Sequence, residues 1–204
     1  MPFYRPILGR KINKRMYRGM KTFLRSASAM DAGKIATLVN RAYRPSVHEH
    51  GWTHEANLVS GQRTTEDQVL SLDCSRSSIL VLCQDTDIVA CIHVKCGENS
   101  ADIGMLATDP NHQMLGLGKQ ILNCAEQYAL KHFGITTFKM SVLSSRTELI
   151  AFYERRGYAR TGEVSSYPVS AGIGEPIVDG LQVEILVKKM ANHLSQTDHH
   201  PKVL

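Results

Sequence analysis

The chain has 204 residues, with 24 Lys and Arg against 19 Asp and Glu and a formal net charge of +5. That length lets a single domain bury roughly 70% of its unfolded surface in one core. Apolar runs such as 79–83 are far shorter than the about 20 residues of a membrane-spanning helix, which excludes one.

The first segment, 1–21, is basic and carries no acid; Arg5, Arg10, Lys11, Lys14, Arg15, Arg18 and Lys21 lie there, followed by Arg25. Setting these aside leaves the rest of the chain slightly acidic. A flexible, solvated extension is the plain expectation, while contact with nucleic acid or anionic lipid, or a mitochondrial presequence, is the alternative. Met20 stands as a second candidate start of translation, and no secretory block follows the basic residues.

Residues 22–26 read as a first strand and 31–43 as a helix, with Ile35, Leu38, Val39 and Ala42 on one face and Ser28 or Asp31 as its cap. A loop follows in which His48, His50 and His54 invite a metal reading. Gly51 breaks the helix that would align them and no Cys stands nearby, so no metal is expected. Trp52 either lines an acceptor pocket or seals this loop. A helix starting at Thr64 or Thr65 has Glu66 and Asp67 in its first turn. Segments 78–83 and 88–94 then form a hairpin about the polar turn 85–87, and 103–108 forms a third strand. Leu117, Ile121, Leu122, Ala125, Tyr128 and Ala129 share one face of a long helix that ends at Gly134, with Lys119, Gln120, Asn123 and Glu126 opposite. A strand at 137–143, a short helix around Tyr153 and a strand at 158–164 come next. The Gly-rich segment 167–180 reads as mobile, and 181–187 is the last strand. Residues 191–204 are a polar tail.

Five cysteines, none in a Cys-x-x-Cys pair, read as free thiols, with Cys83 and Cys91 buried as small hydrophobes. A reducing cytoplasm is their expected setting.

The most informative stretch is Gln113-Met114-Leu115-Gly116-Leu117-Gly118, between the strand at 103–108 and the long helix. Two glycines at a helix start allow close backbone approach, and the first free N–H groups of the helix then face the occupant, for which phosphate is suited. A nucleoside-triphosphate loop fails because Gln120 follows Gly118-Lys119, and a dinucleotide fingerprint fails because Ile121 stands where a third glycine belongs. An ordinary helix start stays equally open on this stretch alone.

A second block, Phe152-Tyr153-Glu154-Arg155-Arg156-Gly157-Tyr158, follows some distance on. Together the two blocks resemble the GNAT superfamily of acetyl-CoA-dependent N-acyltransferases, over about residues 22 to 189. The resemblance implies an α/β (α+β) fold of six to seven largely antiparallel strands, with helices on both faces. It also implies that the main chain of Leu106, Ala107 and Thr108 pairs with the pantetheine arm of acetyl-CoA. Gln113, Met114, Leu115, Gly116, Leu117, Gly118 and Lys119 would hold its pyrophosphate, and Tyr153 would give a proton to the departing thiolate.

Two positions depart from the family pattern. Arg146 stands where many relatives carry Asn, and Ser141 where some carry a glutamate base, so no base is assigned. Asp102 and Glu98 read as surface carboxylates, and a water chain can take the amine proton. The expected function is acetyl transfer to a small-molecule or peptide amine in a ternary complex, with no metal. A CoA-binding regulatory module without turnover is the alternative, nucleic-acid binding through the tail is the third reading, and a homodimer is left open.

Overall fold

The computed structural model describes residues 22–46 and 53–190. Expectations for 1–21, for His48, His50, Gly51 and Trp52, and for 191–204 lie outside the described residues. In chain order the elements are β1 (Thr22–Ser26), α1 (Ala32–Tyr43), β2 (Val59–Ser60), α2 (Glu66–Ser71), β3 (Ser77–Gln84), β4 (Asp87–Cys96) and β5 (Ala101–Thr108). There follow α3 (Leu117–Phe133), β6 (Thr137–Leu143), α4 (Thr147–Glu154), β7 (Ala159–Ser166), β8 (Glu175–Pro176) and β9 (Gln182–Lys189). Seven strands form one sheet in the order β1-β3-β4-β5-β6-β9-β7, antiparallel except for β5 beside β6, and β2 pairs with β8 separately.

Local chemistry sets the element ends. Asp31 accepts hydrogen bonds from the Ser28 N–H and Oγ at 2.8 Å each and an ion pair from Arg25, closing the turn that leads into α1. Thr65 caps α2 through the Gln68 N–H, and Gln68 returns a bond to the Thr65 N–H. Helix α3 ends at Gly134, whose φ of +68° is a left-handed C-cap.

The sheet separates two cores. On one face, Leu80, Leu82, Ile92, Phe138 and Leu186 pack against Ile121, Leu122 and Ala125 of α3 and Ile150 of α4. On the other, Val81, Cys83 and Cys91 pack against Ile35, Leu38 and Val39 of α1. Layers of this kind bury both sides of the central strands.

Strand β5 changes sides partway. Ala101 and Ile103 belong to the α3 core, whereas Met105 and Ala107 belong to the α1 core. Strict alternation would keep all four on one face. The switch is a β-bulge: His93 pairs with Gly104 but Cys91 with Ala107, and Met105 adopts a φ of +49°. Pairing with β6 is confined to Ala101–Phe138 and Asp102–Lys139, just before the bulge. Beyond it β5 keeps β4 on one edge and leaves the other open.

Three expectations need correction. Glu126, assigned to the polar face of α3, is buried at 3% exposure because Lys188 and Tyr158 supply its hydrogen bonds from β9 and the α4–β7 connection. The segment 167–180, expected to be mobile, is tied down: β8 pairs with β2, Tyr167 donates to the Ile173 carbonyl at 3.0 Å, and Arg44 also holds that carbonyl. The polar turn 85–87 is tighter than expected, since Asp87 already pairs with Gln84 and Asp85 takes a φ of +51°. The last strand alternates imperfectly for a structural reason: Leu186 faces the α3 core while Val183, Ile185 and Val187 border a cleft.

Candidate active site

The open edge of β5 leads directly to the glycine loop. Gly116 sits at φ +78° as the N-cap of α3, a conformation suited to glycine, and Met114 before it is also left-handed at +64° and almost fully exposed. The first backbone bond of the helix runs from the Gln120 N–H to the Gly116 carbonyl at 3.0 Å. The N–H groups of Leu117, Gly118 and Lys119 therefore lack intrahelical acceptors and form the positive end of the helix dipole. Beside them Gly118 lies against Phe152, Leu106 and Thr108; a Cβ there would stand 3.6–3.8 Å from their side chains.

These residues wall a cavity of about 350 Å³. Leu106, Thr108, Gln113, Met114, Gly116, Leu117, Gly118, Lys119 and Tyr153 line it, so most of the sequence-derived candidates come together. Ala107 and Leu115 do not line it. The Ala107 side chain is buried in the α1 core and its N–H is turned toward Cys91 on β4, which leaves Leu106 and Thr108 to face the open edge. Phe152 and Arg156, not selected from the sequence, complete the wall. The Arg156 guanidinium lies 3.3 Å from the Phe152 ring centroid and donates to the Phe152 carbonyl.

A second cavity, of about 720 Å³, lies on the α1 face of the sheet, over the gap between β5 and β6. Its walls include His93, Ser141, Tyr167 and Ile185, and it shares Tyr43, Leu106, Arg146, Leu149 and Tyr153 with the first. Tyr153 thus stands where the two cavities meet. Its ring packs edge-on against Phe152 and Tyr158, at 5.2 and 5.8 Å. Burial pushes its phenol above the usual range, against the opposing pull of Arg146 and Arg156, so it stays protonated at neutral pH.

Around Tyr43, at the end of α1, a charged cluster closes one wall. Glu55 is 5% exposed; Arg44 donates to its Oε1 at 2.8 Å, Arg146 Nη1 lies 3.7 Å from its Oε2 and Arg63 Nε 3.9 Å from its Oε1. The Arg63 and Arg146 guanidinium carbons stand 5.2 and 5.6 Å from the Tyr43 ring centroid. Arg146 also donates to Thr53. Sequence reading missed this cluster, apart from Arg146 as a departure from a motif, because its members are far apart along the chain. Among the described residues no three His, Cys, Asp or Glu side chains group as a metal site requires.

The family model described as Acetyltransferase (GNAT) family matches residues 39–158, more than half of the chain and including both the glycine loop and Tyr153. The chain belongs to the GNAT acetyltransferase family. As a GNAT acetyltransferase it is an acyltransferase enzyme, and its seven-stranded sheet is that of solved relatives. The ribosomal-protein-S18-alanine N-acetyltransferase of Escherichia coli superposes with a TM-score of 0.61 at 21% identity, covering 85% of this chain and 97% of that one. The PaiA N-acetyltransferase of Thermoplasma acidophilum, solved in complex with coenzyme A, gives a TM-score of 0.63 at 19% identity and coverage of 84% and 100%. A GNAT acetyltransferase of Elizabethkingia anophelis with acetyl-CoA bound gives 0.53 at 17% identity and coverage of 71% and 97%. No curated protein sequence matches the chain.

Proposed function

We propose that this GNAT acetyltransferase transfers an acetyl group from acetyl-CoA to a primary amine by direct attack in a ternary complex. The observation that carries this reading is the position of Tyr153 at the junction of two cavities, one bounded by the glycine loop and the open β5 edge, the other adjoining it and walled by charged as well as apolar side chains.

The residues present fit the donor. Free N–H groups of Leu117, Gly118 and Lys119, with the Lys119 and Arg156 charges nearby, suit a pyrophosphate. The Leu106 and Thr108 main chain offers an unpaired strand edge to an extended amide-bearing arm, and the side chains of Leu106, Leu149 and Phe152 give it an apolar wall. Acetyl-CoA supplies an acetyl thioester at Tyr153. There the phenol, kept neutral by burial, hydrogen-bonds the departing sulfur and gives it a proton as the carbon–sulfur bond breaks. A free thiolate would suffer the same desolvation as a phenolate, so transfer concerted with cleavage of the carbon–sulfur bond spares the site a free thiolate.

No cysteine lines either cavity among the described residues, which supports direct attack without an acyl-enzyme. Glu55 is tied to Arg44, and Ser141 stands on the acceptor side in place of a carboxylate, so the amine proton leaves through water in the larger cleft. All five cysteines are free, in keeping with a reducing cytoplasm.

Coenzyme A should raise the melting temperature, and an amine panel should include members that stimulate thiol release from acetyl-CoA. Absence of any thermal shift would refute the donor site. A shift without amine-stimulated thiol release would instead favour a CoA-binding regulatory module, the reading that Ser141 supports.

A further inference from the structure

The arginine cluster beside Tyr153 carries more positive charge than its acid neutralises. Glu55 presents one carboxylate to three guanidinium groups. Arg44, whose side chain is 8% exposed, makes the short contact with Glu55 and also holds the carbonyls of Gly61 and Ile173. Its two terminal nitrogens are spent on these partners, while its Nε is buried without a hydrogen bond among the described residues. Arg63 and Arg146 stand 3.9 and 3.7 Å from it, at ion-pair distance but beyond a good hydrogen bond. Arg146 is 10% exposed, and its Nε is buried with no hydrogen-bond partner.

Among the described residues, the other acids on the cavity wall do not restore the balance. Asp102 lies opposite Lys95 and Lys139 in the strand register, and Glu163 is an exposed residue of the outermost strand, β7. Nor do the neighbouring phenols, since Tyr43, Tyr153 and Tyr167 are all shifted toward their neutral forms by burial. Among the described residues, the nearest carboxylate to this half-buried pair of cations is Glu55, already held by Arg44; such a pair facing a cavity suits an anion, and guanidinium forks match a carboxylate.

We propose that the acceptor is an amine that also bears a carboxylate, a free amino acid whose carboxylate docks on Arg63 and Arg146 while its amine reaches Tyr153. Arg146 lines both cavities together with Tyr153 and its charge acts on the Tyr153 phenol, which suits an acceptor whose carboxylate and amine lie close together, as they do in an amino acid. A small acceptor also suits the covering: Tyr167, Pro168 and Ile173 border the cleft, and Tyr167 and Arg44 anchor Ile173. The inference rests on the acetyltransferase reading above and names its substrate class.

Binding of reaction products tests it without turnover. The CoA-loaded protein is titrated calorimetrically with a set of N-acetyl amino acids, their N-methylamides and an N-acetylated acidic peptide amide. The free acids should bind at least roughly tenfold more tightly than the amides. Arg63→Gln should abolish that difference and Arg63→Lys, which keeps the charge without the fork, should retain part of it; Arg63 is the more exposed partner, at 21%, and so the safer one to replace. Equal affinity of acids and amides, absence of binding by any acid, preference for the peptide, or a difference that survives Arg63→Gln would each overturn the proposal. Coenzyme A affinity is titrated separately, and its failure would sink the underlying acetyltransferase reading instead.

Discussion

Replacing Tyr153 by Phe isolates one hydroxyl. The ring is 7% exposed and keeps its edge-on contacts with Phe152 and Tyr158 in the variant, while the hydroxyl has no hydrogen-bond partner among the described residues. Stability should therefore change by no more than about 0.5 kcal/mol, read from urea or thermal unfolding. Catalysis should not be spared. A positioned general acid contributes about 10²–10⁴-fold, or about 3–5 kcal/mol of barrier. In water a phenol of pKa about 10 loses a proton to a thiolate of pKa about 8.5 only at a cost of about 2 kcal/mol. The buried site penalises both anions, so the proton must move as the carbon–sulfur bond breaks, and a water from the larger cleft would have to be positioned as the phenol is to replace it. Steady-state thiol release with saturating acetyl-CoA should show kcat reduced at least a hundredfold, with coenzyme A binding as tightly as before. Retention of more than a third of kcat would refute the acid role. A large fall in melting temperature would show that the hydroxyl matters for packing, contrary to the geometry.

The same phenol sets a pH expectation. An acid that acts when protonated loses activity above its pKa, and burial raises that of Tyr153, so kcat/KM should show no descending limb at the ordinary phenol value of about 10. A limb there that disappears in Tyr153→Phe would contradict it. Lys188→Met should cost about 3 kcal/mol in urea unfolding, because it leaves Glu126, bonded at 2.6 Å to Lys188 and 3% exposed, as a buried carboxylate without its cation. A second change, Glu126→Gln, should recover part of that loss, and a cost below about 1 kcal/mol in the single variant would mean the pair is better solvated than its burial indicates. Gly116→Ala should cost about 1 kcal/mol through the backbone alone, since its φ is +78° and a Cβ there meets nothing within 4 Å. Coenzyme A affinity should fall with it while Gly116→Asn, better suited to that conformation, falls less; equal affinities in isothermal titration would separate the loop from the phosphate.

What the sequence made legible were features with local causes. Strands at 22–26 and 137–143 appear with the same bounds, and the long helix starts and stops at its glycines, because alternation, helical spacing and left-handed caps are written in neighbouring residues. Thr65, with Glu66 and Asp67 behind it, marked the start of α2 in the same way. Glu126 went the other way: a charged residue among Lys119, Gln120 and Asn123 reads as solvated until Lys188, far along the chain, is brought against it. The arginine cluster was invisible for that reason too, since Arg44, Glu55, Arg63 and Arg146 meet only when the end of α1, two loops and the start of α4 are assembled.

The bulge at Met105 was the least legible feature and the one on which the site most depends. Methionine gives no signal for a φ of +49°, which glycine or asparagine would. Without the extra residue, β5 would hold Met105 and Ala107 toward α3, Leu106 and Thr108 would face away from the glycine loop, and nothing would end the pairing with β6 after Asp102. The gap between β5 and β6 over which the larger cavity lies would then close. Backbone strain of order 1–3 kcal/mol persists only where the surroundings enforce it, and here both cores do, by burying Ile103 on one face and Met105 on the other. The meeting point of the two cavities is thus held open by packing on opposite sides of a single strand.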